Sequence, residues 1–181
     1  MSQPLRAAKS RMRISPAAEA RVHINSAPAV VWDVVVDVTL QDRWSGEATK
    51  CYWIEPAEGA AVGACFRGHN RRGFRRWTRT NEVMAIEPGR TLVWRTLSSK
   101  LYPDSTEWCI EVRPEGTGTT VRESYRITHL PRALEIFLYW FNPDHRDRRN
   151  DLEQDLLKLK TYVETLCASS AARRPEQIVA E

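Results

Sequence analysis

Glu123 lies between Val121 and Tyr125 in the run Val121-Arg122-Glu123-Ser124-Tyr125-Arg126-Ile127, which alternates apolar and polar residues except at this one position. Strict alternation is the period of a half-buried strand, so the carboxylate of Glu123 falls on the covered face. By the same parity Arg79 shares a face with Trp77 and Val83, and Asn70 shares one with Phe66. A charged group on a covered face must be paired, hydrogen-bonded or turned toward a cavity. Two uses follow. Glu123 and Arg79 can form an internal ion pair that serves structure, or they can hold the polar head of a ligand. In a reactive site Glu123 is the candidate general base and Tyr125 the candidate general acid.

Seven tryptophans accompany these groups. Each carries a large apolar body and one N–H that needs an acceptor, so each fills a core or lines a pocket. Trp44, Trp77, Trp94 and Trp108, with Phe66, are taken as candidate pocket walls. The run Leu134-Glu-Ile-Phe-Leu-Tyr-Trp-Phe141 is apolar nearly all round and is read first as a buried helix. Its other readings are a pocket lid, a dimer contact and a membrane-touching surface, with Trp140 placed at the pocket mouth. The hairpin Arg71-Arg72-Gly73-Phe74-Arg75-Arg76 is a solvated loop or an electrostatic rim for an anionic ligand or an acidic carrier protein. One aromatic among its arginines is too little for nucleic acid, and a net charge of +4 adds no support.

Other chemistries lack their motifs. The four cysteines form no CxxC pair, the histidines have no metal-ligand spacing, and no nucleotide-binding or nucleophile-elbow motif occurs. No metal and no cofactor is therefore expected. No apolar run reaches the length of a transmembrane helix, and the basic N-terminus lacks the apolar core of a secretory signal, so the expected location is cytoplasmic.

The elements that must position these residues are legible in order. Residues 1–15 read as a flexible basic tail, 16–167 as one domain and 168–181 as a second tail. Ala20–Ile24 alternates as a first strand, and Pro28 opens a valine-rich helix followed by a short second helix at Leu40–Trp44. Six strands follow: Thr49–Glu55, Ala64–Asn70, Phe74–Ile86, Thr91–Leu97, Ser105–Arg113 and Thr119–Ile127. Their short connections favour antiparallel neighbours. From Asn142-Pro143, the spacing of Leu152, Leu156, Leu159, Val163 and Leu166 predicts a long amphipathic helix, with Arg148, Arg149, Asp151, Asp155 and Lys158 on its solvent face. The fold class is α+β: a seven-stranded curved antiparallel sheet wrapped around a long C-terminal helix, with two short helices between strands 1 and 2. The space between helix and concave sheet is the expected pocket.

The opening Ile24-Asn-Ser-Ala-Pro-Ala-Val-Val-Trp-Asp-Val34, then Asp42-Arg43-Trp44, Gly63-Ala-Cys-Phe66-Arg-Gly68-His-Asn70 and Glu87-Pro88-Gly89-Arg90 resemble the SRPBCC superfamily, the helix-grip group of START domains and birch-pollen-allergen-like proteins. The polyketide cyclase/dehydrase-like branch is the one it is most similar to, over residues 17–167. The resemblance implies the helix-grip fold and an enclosed hydrophobic or amphipathic small molecule, lipid- or polyketide-like. As an alternative it implies an aromatase/cyclase or dehydratase; the basic hairpin and the apolar 134–141 stretch add a third reading, a protein-interaction module that docks a partner or a second copy as a homodimer. The candidate ligand-binding residues are Trp44, Phe66, Asn70, Trp77, Arg79, Trp94, Trp108, Glu123, Tyr125 and Trp140. Glu123 and Tyr125 are the candidate catalytic pair.

Overall fold

The computed structural model describes residues 13–142 and 145–173. The segments 1–12 and 174–181, which hold most of the two expected tails, lie outside the described residues. Strand β1 (Ala17–Ile24) leads into helix α1 (Pro28–Val36) and a six-residue 3-10 helix (Val38–Arg43). Six strands follow: β2 (Ala48–Trp53), β3 (Cys65–Arg72), β4 (Arg75–Glu87), β5 (Thr91–Thr96), β6 (Ser105–Glu115) and β7 (Gly118–His129). Helices α2 (Arg132–Phe141) and α3 (Arg149–Arg173) close the chain. The seven strands form one antiparallel sheet in the order β1-β7-β6-β5-β4-β3-β2. Only β1 departs from sequence order, because the two helices carry the chain across the sheet before the meander begins.

Alternation sorts the two faces of the sheet. Val83, Leu92, Trp94, Ile110, Val112 and Val121 point inward and are buried. The outer face is a ladder of charges. Arg122 bridges Glu19 of β1 and Glu111 of β6, both at 2.6 Å, and Glu107 takes Arg95 and Arg126 from the strands on either side. The face is wet, as alternation required. α3 lies against the inner face, and Leu152, Leu156, Leu159 and Val163 are no more than 2% exposed. Burying these four side chains is what holds the helix to the sheet.

Two expectations are corrected here. α3 begins at Arg149, not at Asn142-Pro143. Asp147 Oδ1 accepts the Arg149 amide and supplies the turn that starts the helix, leaving His145 to Arg148 as a connecting segment. Helix α2 is not buried. Its one acid, Glu135, is the buried residue and accepts from the Arg13 amide, while Ile136, Phe137, Trp140 and Phe141 are 42%, 55%, 61% and 65% exposed. Its apolar side chains outnumber the inward positions that a single helical face supplies, so most of them point out.

Candidate functional site

A cavity of about 170 Å³ lies between the concave sheet and the start of α3. Trp44, Asn70, Trp77, Arg79, Trp94, Trp108, Glu123 and Tyr125 all line it. Strand register brings them together. Asn70 pairs with Trp77, Trp94 with Trp108, and Trp108 with Tyr125 on successive strands. Cross-strand neighbours on one face meet, so the aromatics form a ladder. Trp94 and Trp108 stack at 6.2 Å with planes 8° apart, and Trp108 meets Tyr125 at 5.5 Å.

Two candidates do not reach the cavity. Phe66 is 1% exposed and packs edge-on behind Trp94 at 6.4 Å, so it is core. Trp140 points away from the cavity on the outer face of α2, whose Leu138 is the side chain that lines it.

Arg79 and Glu123 do not pair. The Arg79 guanidinium is held by the β5–β6 loop: Nη1 donates to both Asp104 carboxylate oxygens at 3.1 and 2.9 Å, and Nη2 to the carbonyls of Leu97 and Asp104. The ring of Tyr102 lies 5.3 Å from it. Arg79 therefore borders the cavity with its donors largely engaged. Tyr125 donates its hydroxyl to the Ser15 carbonyl at 3.3 Å, and burial raises the hydroxyl above the ordinary tyrosine range.

Glu123 is 3% exposed, and its Oε2 has no hydrogen-bond partner among the described residues. Burial, helped by the nearby charge of Asp155 and opposed by Arg148, pushes its carboxyl up to about 8. At neutral pH it is mostly a neutral acid, able to donate a proton rather than to act as the base expected of it from the sequence. Two more buried polar atoms on the cavity lining lack partners among the described residues, Trp44 Nε1 and His145 Nδ1. Burial and the charge of Arg148 hold His145 below the usual histidine range, so its imidazole is neutral at pH 7.

The first turns of α3 and the segment before it bring charges that strand parity did not show. Arg148 Nη2 donates to Glu47 at 2.8 Å, Arg148 Nε to Asp151 at 3.4 Å, and Arg72 reaches both carboxylates. Arg148 also lies over the Trp108 ring at 5.4 Å. Burial opposes its charge, and Glu47 and Asp151 outweigh that and hold it above the usual range. Asp155 accepts the Gly46 amide at 2.6 Å, yet burial raises its carboxyl to about 6. Arg148, Asp151 and Asp155 thus face the cavity rather than solvent, which corrects the sequence reading. The signal was present: 148, 152, 155 and 159 continue the i, i+3, i+4 spacing of the leucine stripe. Among the described residues no group of acids, histidines and cysteines is placed to hold a metal ion. Nor is any helix of these residues long and apolar enough to cross a membrane.

A curved antiparallel sheet gripping one long helix, with a cavity between them, defines a helix-grip protein. The chain belongs to the family described as polyketide cyclase / dehydrase and lipid transport, whose model matches residues 15–164. Among solved structures it is similar to a Polyketide_cyc-like protein of Corynebacterium glutamicum, at 24% identity and TM-score 0.56, covering 91% of this chain and 99% of that one. It is also similar to major latex-like protein 151 of Panax ginseng, at 14% identity and TM-score 0.62, covering 83% and 95%. A third likeness is to DynU16, a protein of the dynemicin biosynthetic locus, at 14% identity and TM-score 0.58, covering 83% of this chain and 48% of that one. At these identities the structural likenesses speak to the fold. No curated protein matches in sequence. The family supports a ligand-binding or polyketide-related role.

Proposed function

We propose that the chain binds one small amphipathic molecule, ring-shaped at its core, between the Trp94–Trp108–Tyr125 ladder and the start of α3. The observation that carries this is that three residues lining one aromatic cavity each hold a buried polar atom without a hydrogen-bond partner among the described residues: Glu123 Oε2, Trp44 Nε1 and His145 Nδ1. A buried polar atom without a partner costs about 1–3 kcal/mol, and a ligand with matching donors and acceptors removes that cost. The volume of about 170 Å³ supports a compact guest. Cavities near 150 Å³ take a single aromatic ring, whereas drug-sized ligands fill roughly 300 Å³ and more. A lipid would place only its head here.

Native mass spectrometry of freshly purified protein tests the reading, with 2-naphthol as a probe titrated against tryptophan fluorescence. A co-purified mass or saturable quenching that weakens at least about tenfold in Trp108→Ala is expected. Absence of both in the wild-type protein rejects the proposal.

A second reading, cyclisation or dehydration of a polyketide-like substrate, is favoured by one observation. Glu123 is a neutral acid on the cavity lining and can protonate a carbonyl or a leaving hydroxyl. Turnover of such a substrate would fall at least about a hundredfold in Glu123→Gln. Unchanged turnover removes Glu123 from the chemistry.

A further inference from the structure

Helix α2 wears its polarity inside out. Glu135 is buried, and Ile136, Phe137, Trp140 and Phe141 face outward. Arginines rim this apolar face. Arg146 lies 4.5 Å over the Tyr139 ring and donates to the Tyr139 carbonyl at 2.8 Å, and Arg13 lies over the same ring at 5.7 Å. Arg75 donates to the Phe141 carbonyl at 3.3 Å, which ties the β3–β4 hairpin to the end of α2. At the tip of that hairpin Phe74 is 94% exposed, between the exposed Arg71, Arg75 and Arg76. Neither residues 71–76 nor the outward side of α2 carries a carboxylate.

We propose that α2 and the β3–β4 hairpin form a docking face for an anionic lipid bilayer. A ten-residue helix is about 15 Å long and can lie in the plane of the interface. Its aromatic side chains then enter the boundary between headgroups and acyl chains, and the arginines sit at the level of the phosphates. An acidic protein would satisfy the arginines but leave five large apolar side chains against a polar surface. A second copy paired about a two-fold axis would set arginine rim against arginine rim. The bilayer alone matches both the charge and the apolar centre. Leu138 on the inner side of α2 lines the cavity, so the docked helix has the bilayer on one face and the cavity on the other. The proposal does not depend on what the cavity holds.

The test is co-sedimentation of the full chain with vesicles of phosphatidylcholine, alone or with about one third phosphatidylserine. Binding to the anionic vesicles is expected to be at least about tenfold stronger and to weaken in about 0.5 M NaCl. The double variant Phe137→Asp, Trp140→Asp is expected to lose at least about tenfold in binding, and Arg71→Glu, Arg76→Glu to lose the preference for anionic vesicles. All four positions are exposed, so melting temperature and cavity occupancy by native mass spectrometry should stay as in the wild type. Failure of the wild type to sediment with anionic vesicles overturns the proposal, as does equal binding by the Phe137/Trp140 variant. A dimer in sedimentation equilibrium that this variant dissolves would also overturn it, by assigning the face to a second copy.

Discussion

Glu123 and Arg79 share the concave face of one sheet and have opposite fates. Glu123 is fully enclosed without a bonded partner for one oxygen, and so keeps its proton. Arg79 is held by the Asp104 carboxylate and by the carbonyls of Leu97 and Asp104, and so serves the loop that carries them. Side-chain exposures of 14% and 22% make the Arg79–Asp104 pair half-sheltered. Arg79→Met should cost about 2 kcal/mol in urea unfolding, because Asp104 loses its partner without regaining full hydration. Adding Asp104→Leu should recover most of that loss. If Arg79→Met alone leaves stability unchanged, the pair is not what holds the loop. Parity placed both residues on the correct face. It could not show their partners, since a strand pattern says which side a group occupies and nothing about what lies across from it.

At the level of elements, β1 must close against β7 for the sheet to reach its full width. Gly118 permits this. A Cβ there would sit 2.5 Å from the Ile24 carbonyl oxygen and 2.8 Å from His23 Nε2. Gly118→Ala should therefore destabilise by about 1–3 kcal/mol through overpacking of backbone that cannot swing aside. Chemical denaturation measures it, and a neutral result would show that β1 can shift freely. α2 shows the opposite limit. Its composition read as a buried helix, yet only Glu135 is buried. Hydrophobicity states a preference for burial, and the geometry of the fold decides whether a covering surface exists.

For the whole molecule, pH couples the cavity to stability. Glu123 binds its proton more tightly in the folded chain, with its carboxyl raised from 4.5 to about 8. Between those values the folded state holds more protons than the unfolded one, so stability falls as pH rises through this window. The slope approaches about 1.4 kcal/mol per pH unit. Asp155, raised from 3.8 to about 6, acts with the same sign in the lower part of the window. Surface acids such as Glu19 and Glu107, lowered by arginine partners, act oppositely and lose their contribution on acidification. Subtracting a Glu123→Gln variant isolates the buried group: its melting temperature should gain on the wild type steadily from pH 5 to pH 8. A constant difference would mean that Glu123 titrates near its ordinary value.

The amino-acid sequence by itself determined the order of the strands along the chain, the two-faced strands, the leucine stripe of α3 and the gathering of Trp77, Trp108, Glu123 and Tyr125 on one side. These are local properties, carried by periods of two and of about 3.6 residues that any reader of the chain can count. Tertiary structure alone decided that Arg148 reaches across to Glu47, that Asp104 takes Arg79, and that Phe66 is core while Trp44 is cavity wall. It also decided that α2 turns its aromatics outward. Each of these depends on sheet curvature and on where α3 begins. Both set distances between residues far apart in sequence, which no local period encodes.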